Sequence, residues 1–514
     1  METWGEILDE VLSTARMRAA EEAAIGSGKV TGLELMERAG QGVVAAIHHR
    51  WPDLRAARAR VLVLCGPGNN GGDGFVVARL LAEAGWRVDT VLHGDPARLP
   101  PDARANHDRW VGIGPVGAMG EPRDIAPDLI VDAIFGTGLT RALPREVQQA
   151  LTDLDAATDG QGAPVPRVAV DIPSGLSSDT GRALGRPLAA DLTVTFHAVK
   201  LGHFLAEGPD FCGALHIADI GLPPTDPARD APPGVVRLTG MPRGLGRGGG
   251  HKYAHGHALV LSGGAGQTGA ARLAARAALR VGAGLVTLGV PGSAQQEAAA
   301  QLTAIMLRRA GDGDELTRVL DDARISAVCL GPALGLDRAR DLVEVVLSGR
   351  PMGVVLDADA LTAFAKAPET LFAMLHEACV LTPHDGEFAR LFPDLADARA
   401  AGEMSKVDAV RKAAARAGCI VLLKGPDTVI ADPDGRCGLN ASVYDRSAPW
   451  LATAGSGDVL AGLITGLLAR GLSPLRAAEV GAWLHTESAL SFGPGLIAED
   501  LPEELPRVFR ALGL

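Results

Sequence analysis

The sequence predicts an α/β protein built as two different domains, the first a mostly parallel β-sheet covered by helices on both faces and the second again α/β. Three observations carry this. Short apolar runs alternate with helical stretches along most of the chain, the order that parallel strands joined by crossover helices require. Glycine is abundant (65 residues) while aromatics make up 4%, which favours tight strand-to-helix turns over an aromatic-rich sandwich. At 514 residues the chain also exceeds what a single hydrophobic core serves.

In the first half, VLVLC (61–65), VDTVL (88–92), LIVDAIF (129–135), VAVDI (168–172), LTVTF (192–196) and ALHIA (214–218) read as strands. FVVARLLAEAG and REVQQALTDLD, between them, have helical spacing. Around Leu222 the texture changes: GLPPTDPARDAPPG reads as a connector. A second series follows, with ALVLSG, LVTLGV, AVCLG, GVVLDAD, CVLTP, IVLLKG and TVIAD as strands. The expected limits are 1–222 for the first domain, 223–240 for the linker and 241–514 for the second domain. The halves share no motif that aligns, so they read as two unlike domains and not as a duplication.

The net charge of −12 argues against a general polyanion surface, so no nucleic-acid partner is expected. It leaves room for a local phosphate pocket, which backbone amides alone can make. The six cysteines, Cys65, Cys212, Cys329, Cys379, Cys419 and Cys437, show no C-x-x-C spacing and read as reduced, mostly buried thiols. No apolar run reaches roughly 18 residues, the length that spans a bilayer. The acid-containing N-terminus is unlike a signal or transit peptide, so a cytoplasmic protein with no membrane partner is expected.

VLVLC runs directly into GPGNNGGDG (66–74) and then a helix. Gly66, Gly68 and Gly71 fit the dinucleotide fingerprint, but Asn69 and Asn70 can hold polar groups or a cation, and Asp73 would repel a pyrophosphate. Two more strands bring acids: Asp132, followed by Gly136, Thr137 and Gly138, and Asp171, followed by Ser174. Ligands in doubly wound folds sit beyond the carboxyl ends of the strands, so Asn70, Asp132, Asp171 and Ser174 are expected to converge on one crevice. Such oxygen ligands suit a hard cation.

With LELMERAG (33–40), VDAIFGTGL (131–139), VDIPSGL (170–176) and ADLTVTFHAVKLG (190–202), these segments resemble, in order, the NAD(P)H-hydrate epimerases, whose domain is Rossmann-like. The resemblance implies potassium on Asn70, Asp132 and Ser174. It implies hydrated nicotinamide nucleotide against Asn69, Asn70, Gly71, Gly72 and Asp73, against Gly136, Thr137, Gly138, Leu139, Thr140, Arg141 and Ala142, and against Asp171. Asp171 is the expected proton-handling group. Glu21, where the family often has Asp, is expected to be structural.

In the second half, LATAGSGDVLAGLITGLLARG (451–471) places a turn of small residues before Asp458 and an apolar helix. Small residues let successive N–H groups face one cavity at a helix N-terminus, an anion hole for charge developing on a departing phosphoryl group. Asp458 then stands where it can take a proton from an attacking hydroxyl. This box resembles the ribokinase-like superfamily. HKYAHGHALVLSGGAGQTGAARLAARAALRVGAGLVTL (251–288), GPALG (331–335), VLDADAL (355–361), LTPHDGEFARL (381–391) and LKGPDTVI (423–430) narrow the resemblance to the NAD(P)H-hydrate dehydratases.

That resemblance implies a reaction in which ADP, with magnesium, phosphorylates the hydrate hydroxyl and phosphate is then eliminated, leaving NADH or NADPH, AMP and inorganic phosphate. It implies Asp458 as base and Gly455, Ser456 and Gly457 as the anion hole. Lys424, Gly425, Pro426, Asp427, Thr428 and Gly457 should meet the adenine nucleotide, and Ala270, Gly335, His384 and Asp458 the hydrate. Two positions depart from the family, Ala454 and Ala333, where glycine is common; either added methyl narrows the pocket. His251, His255 and His257 are not read as a metal cluster, since no carboxylate or thiol accompanies them.

The whole chain thus reads as a fusion that epimerises (6R)- and (6S)-NAD(P)H hydrate (NADHX and NADPHX) and dehydrates the S form, and a homo-oligomer is expected. The competing reading is a ribokinase-like kinase for a vitamin precursor, fused to a nucleotide-binding domain.

Overall fold

The computed structural model describes residues 10–120, 126–158, 162–223 and 235–514, and the chain divides into two compact units, one within 10–227 and the other within 228–514. The first unit is built on seven strands: β1 (Arg60–Cys65), β2 (Arg87–Leu92), β3 (Val116–Ala118), β4 (Leu129–Ala133), β5 (Arg167–Val170), β6 (Leu192–Phe196) and β7 (Ala214–Ala218). Their order is β3-β2-β1-β4-β5-β6-β7, with every neighbouring pair parallel. The chain steps outward from β1 to β3, then returns to β4 on the other side. The β1/β4 junction is therefore the switch point of a doubly wound sheet, where the connections diverge and leave a crevice. β1, β4 and β6 are buried almost throughout, as expected of strands covered on both faces.

Three helices matter for the site. α1 (Thr14–Gly26) is capped by Ser13, whose hydroxyl accepts from Arg16 N. α2 (Gly32–Arg50) begins with a reciprocal capping box between Thr31 and Glu34. α3 (Asn69–Glu83) follows β1 directly, and its N-cap, Gly68, has no side chain to occupy the first amides.

The second unit contains β8 (Val236–Leu238), β9 (His257–Leu261), β10 (Leu285–Val290), β11 (Met306–Arg309), β12 (Ile325–Leu330), β13 (Gly353–Leu356), β14 (Cys379–Leu381), β15 (Ile420–Leu423), β16 (Asp427–Ala431) and β17 (Cys437–Ala441). Their order is β8-β17-β16-β15-β14-β13-β12-β9-β10-β11. Only β16 runs antiparallel to its neighbours. The parallel part repeats the outward-and-back order of the first sheet, with its switch point between β9 and β12.

Four of these strands escape a reading by apolar runs, each for a visible reason. β3 is three residues long, β11 (MLRR) lies at the sheet edge with Met306 exposed, and β17 (CGLNA) carries glycine and asparagine. β8 falls inside the stretch 223–240 read as linker, and pairs with β17. Most of that stretch, 224–234, lies outside the described residues, as does the N-terminal segment before Glu10. All six cysteines are buried, and no helix among the described residues is long and apolar enough to cross a membrane.

The second unit turns on two helices, α4 (Gly269–Arg280) and α5 (Ser456–Ala469), with α6 (Pro474–Phe492) packed behind. α5 is apolar around its circumference, so it can only be a buried helix. It meets α4 through small residues: a β-carbon on Gly462 would lie 2.2 Å from the Ala274 carbonyl oxygen, and one on Gly466 2.7 Å from that of Ala278. Gly462→Ala gains about 1 kcal/mol of helix propensity. It also forces overpacking that typically costs about 1–3 kcal/mol, and the obstructing atom is backbone, which cannot rotate aside. Urea unfolding of Gly462→Ala is therefore expected to show a lowered midpoint for the second unit; an unchanged or raised midpoint would refute this close approach.

Candidate active sites

At the first switch point a β-carbon on Gly66 would lie 1.7 Å from the Ile134 carbonyl oxygen, so only glycine lets the loop after β1 pass this closely over β4. The crossing places Asn70, in the first turn of α3, beside the GTG loop. A β-carbon on Gly136 would sit 2.8 Å from Asn70 Oδ1 and 3.2 Å from Asp171 Oδ2, so Asn70 and Asp171, two of the four residues expected to share a crevice, both border the GTG loop. Gly71 and Gly72 are buried packing positions, the first against Gly66 and the second against Met36 and Ala103. Leu139 turns its side chain into the core, whereas Thr140, Arg141 and Ala142 are exposed. Thr14 of α1 pins the GTG loop by donating its hydroxyl to the Thr137 carbonyl (3.2 Å).

Asp132 lies within β4 and not at its end, because the strand continues to Ala133. Its carboxylate is enclosed by oxygen and amide groups. Ser174 donates its hydroxyl to Oδ1 (2.6 Å) and its backbone N–H to Oδ2 (2.8 Å), and Ile134 N–H reaches Oδ1 (3.2 Å). Burial raises the Asp132 carboxyl above its ordinary pKa despite these bonds, and no cationic side chain among the described residues pairs with it.

Asp171 follows β5 with φ of +67°, a left-handed conformation that costs a non-glycine residue about 1–2 kcal/mol. Several bonds hold it there. Its N–H donates to Val194 O (2.8 Å), and its carbonyl accepts from His203 Nε2 (3.0 Å). Its Oδ1 accepts from Thr195 Oγ1 (2.9 Å) and from Lys200 Nζ (2.8 Å). His203 Nδ1 accepts the Lys200 N–H, which places the ring proton on Nε2; burial and Lys200 drive its pKa down to about 4. Burial alone would raise Asp171, but the Lys200 ammonium overrides it and holds the carboxyl below its ordinary range. Asp73 is pushed well above that range by burial and then by Asp171 and Glu21. Glu21 feels Asp171 and Lys200 in turn, so it borders this charge cluster as well as belonging to α1. The crevice therefore holds one carboxylate whose ionised form is favoured and one acid whose protonated form is favoured, an arrangement that can both take and give a proton.

At the second switch point the loops after β9 and β12 meet: a β-carbon on Gly263 would lie 2.0 Å from the Ala333 carbonyl oxygen. Ala333, one of the two departures from the family pattern, has φ of +53°, so the methyl sits on a backbone better suited to glycine. Gly335 donates its N–H to Asp359 Oδ2 (2.8 Å) at the start of the next helix, and Ala270 stands half-exposed in the first turn of α4. His384 is the N-cap of its helix: Nδ1 accepts from Gly386 N (2.9 Å) and Glu387 N (3.4 Å), which leaves only its exposed edge for a ligand.

α5 opens at Gly455, whose φ of +88° turns the chain into the helix. The Ser456 side chain faces inward, its hydroxyl 3.0 Å from Nε2 of buried His485 on α6, and its N–H reaches Thr453 O at 3.3 Å. Among the described residues nothing accepts the N–H groups of Gly457 and Asp458, which are the open donors of this terminus. Lys424 Nζ donates to Asp357 Oδ1 (2.7 Å), lies 4.0 Å from Glu387 Oε2, and would be 3.4 Å from a β-carbon on Gly457. Burial pulls Lys424 down, but Asp357, Glu387 and Asp458 carry it above its ordinary pKa, so it stays charged. Asp458 is raised to about 6, first by burial and then by Asp357, against the pull of Lys424. The K-G-P-D-T loop is tied from within: Lys406 Nζ donates to Asp427 Oδ1 (2.6 Å) and Lys424 O (3.3 Å), and Thr428 Oγ1 to Gly425 O (2.7 Å).

Four charged groups of these sites escape a reading by motif: Lys200, Asp357, Glu387 and Lys406. A lone lysine in the otherwise apolar AVKLG is the signal that marks Lys200, and VLDADAL displays Asp357 directly after a strand. Among the described residues no three His, Cys, Asp or Glu side chains gather as a metal cluster, and His257 bonds Thr287 Oγ1 instead (2.8 Å).

The family model for the YjeF-related protein N-terminus matches residues 32–202, and that for NAD(P)H-hydrate dehydratase matches 258–507. The bifunctional NAD(P)H-hydrate repair enzyme of Moorella thermoacetica is 38% identical over 98% of this chain and 97% of its own. The NAD(P)H-hydrate epimerase of Rhodobacter capsulatus is 50% identical over 39% of this chain and 95% of its own. Among solved structures, the ADP/ATP-dependent NAD(P)H-hydrate dehydratase of Bacillus subtilis, co-crystallised with ATP and Mg2+, is 28% identical and covers 52% of this chain and 93% of its own, with a TM-score of 0.43. Similar along nearly its full length to such a repair enzyme, the chain belongs to the bifunctional NAD(P)H-hydrate repair enzyme family.

Proposed function

We propose that the chain returns hydrated NADH and NADPH to the intact cofactors, with the first domain interconverting the R and S hydrates and the second dehydrating the S form. The observation that carries this is the pair of differently tuned acids in separate domains, Asp171 held ionised by Lys200 and Asp458 raised to about 6 at an open helix N-terminus.

In the first domain Asp171 takes the proton of the hydrate hydroxyl as the bond from carbon six to the ring nitrogen breaks, the oxygen becoming a carbonyl. Asp73, whose raised pKa favours its protonated form, gives a proton to the nitrogen, and reclosure on the other face of the carbonyl returns both protons. Asp132 and Ser174, bonded to each other, and Asn70 beside Gly136 are the groups that would hold a monovalent cation, and Asp132 is a buried carboxylate without a cationic partner among the described residues; potassium bound there would supply positive charge beside the reacting hydroxyl.

In the second domain the acceptor is the hydrate hydroxyl and the donor is ADP. Asp458 takes the hydroxyl proton as the oxygen attacks the terminal phosphorus, the bond to AMP breaks, and the N–H groups of Gly457 and Asp458 with Lys424 meet the developing charge. The carbon–oxygen bond then breaks, inorganic phosphate leaves with that oxygen, and loss of the neighbouring ring proton restores the double bond. Asp357 and Glu387, around Lys424, are the acids available to magnesium accompanying the phosphates. Fusing the two domains lets both epimers drain through a dehydratase that takes only one.

Near-ultraviolet absorbance of the reduced nicotinamide, followed on a mixture of both hydrates with magnesium, potassium and ADP, separates the roles. Asp458→Asn is expected to abolish ADP-dependent recovery while epimerisation, followed by chromatography, persists; loss of both would refute two independent sites. Asp171→Asn is expected to stop recovery once the acceptable epimer is consumed, and complete recovery would rule Asp171 out.

Asp458 must be ionised to act, so turnover of the S hydrate should fall as pH drops through about 6. Asp357 raises that pKa, so Asp357→Asn should move the acidic limb to lower pH. A limb left in place, or moved upward, would show that another group titrates.

A further inference from the structure

The reactions proposed above use the carboxyl ends of the strands. At the opposite, amino-terminal ends of β9, β10 and β12 the second unit holds a cavity of about 420 Å³, within the range of small-ligand sites. Its floor follows from the strand register. His257 pairs with Leu285, Thr287 with Met306, and Gly289 with Arg308; partners in a parallel pair share a face and alternate residues return to it. His257, Thr287, Met306 and Arg308 therefore lie on one face, opposite the face that packs against α4 and α5. The helix Gly313–Leu320 closes the side, presenting Glu315, Arg318 and Val319 at helical i, i+3, i+4 spacing.

The charges of the lining do not balance. Arg309 is paired with Glu315 (2.6 Å), and Arg324 grips Asp322 through two bonds of 2.8 Å. This uses both acids of the wall and leaves Arg308 and Arg318 without a carboxylate partner among the described residues. In a chain of net charge −12, two unneutralised guanidinium groups on one cavity are a local feature that the overall balance does not supply. The wall also has an unmet polar atom. His257 is 4% exposed and bonds Thr287 through Nε2, while its Nδ1 is buried with no partner. Burial, then Arg324 and Arg308 against the opposing pull of Asp322, lowers the pKa of the ring, so the positive charge of the wall comes from its arginines.

We propose that this cavity is a second ligand site, separate from both reaction centres, for a compact polyanion bearing phosphate or carboxylate groups. The Arg308 and Arg318 guanidinium groups match the planar, paired oxygens of either group, and His257 and Thr287 form part of the cavity lining behind them.

Isothermal titration calorimetry of the full chain, at low salt, with pyrophosphate and separately with citrate, tests it. Arg308 and Arg318 are exposed, so the double variant R308A/R318A should fold normally, which circular dichroism checks. The expected result is one class of sites that weakens about tenfold or more in this variant, in line with the loss of charge-assisted hydrogen bonds. Pyrophosphate binding at the α5 terminus should persist. The His257 imidazole resonances of 15N-labelled protein should shift as the class fills. Response to pyrophosphate alone would assign a phosphate ligand, and response to citrate alone a carboxylate one. Unchanged stoichiometry and affinity in the double variant, no binding of either anion to the parent chain, or His257 resonances that stay fixed at saturation would each overturn the proposal.

Discussion

Gly462 and Gly466 bring the backbone of α5 against Ala274 and Ala278 of α4, and the second site depends on that contact. α4 emerges from the GGAGQT loop and α5 from the turn that ends in Gly455, so one helix–helix distance sets the two loops relative to each other. Interiors are packed too densely for the helices to yield without moving both ends. In the first unit Gly66 over Ile134 has the same consequence, since it decides how closely Asn70 approaches the GTG loop. In both units, backbone contact through residues without side-chain bulk places the polar groups.

The electrostatics follow from where those contacts leave the acids. Asp171 is buried, strained at positive φ and paired with an equally buried Lys200, so its charge is sustained by one specific partner. Removing a single partner from such a pair leaves an uncompensated buried charge, the costly case. Asp458 has a different balance: Asp357 opposes its ionisation and Lys424 favours it, and burial decides for a value near neutrality. One carboxylate is thus secured as a charge and the other set where it can exchange a proton, which matches a step that only shuffles protons and a step that must deprotonate a hydroxyl.

Much of the fold was legible because buried parallel strands are nearly continuous apolar runs; β6, β7 and β10 coincide with the segments read as LTVTF, ALHIA and LVTLGV. The strands that escaped were short, polar or at an edge, where burial no longer dictates residue type. In the sites, asparagines and acids beside glycine turns announced themselves as Asn70, Asp171 and Asp458. Lys200 and Asp357 did not, because a charged residue after a strand ordinarily faces solvent, and only the folded structure reveals that Lys200 pairs with Asp171 and Asp357 with Lys424. The reverse holds for Leu139 and His384: the sequence places them in site loops, while packing sends one into the core and turns the other into a helix cap.

By itself the sequence determined two α/β units, the glycine-rich turns at their strand ends and the acids that follow, since these depend on local periodicity and on residues that tolerate particular turns. Only the tertiary structure decided which charges face each other. That covers the Lys200–Asp171 pair, the Asp357–Lys424 pair beside Asp458, the shared strand order of two unlike halves, and the arginine-lined cavity at the far ends of the second sheet. The physical reason is range: periodicity and turn preference act over a few residues, whereas a buried charge is set by partners that the chain brings from 29 or 67 positions away.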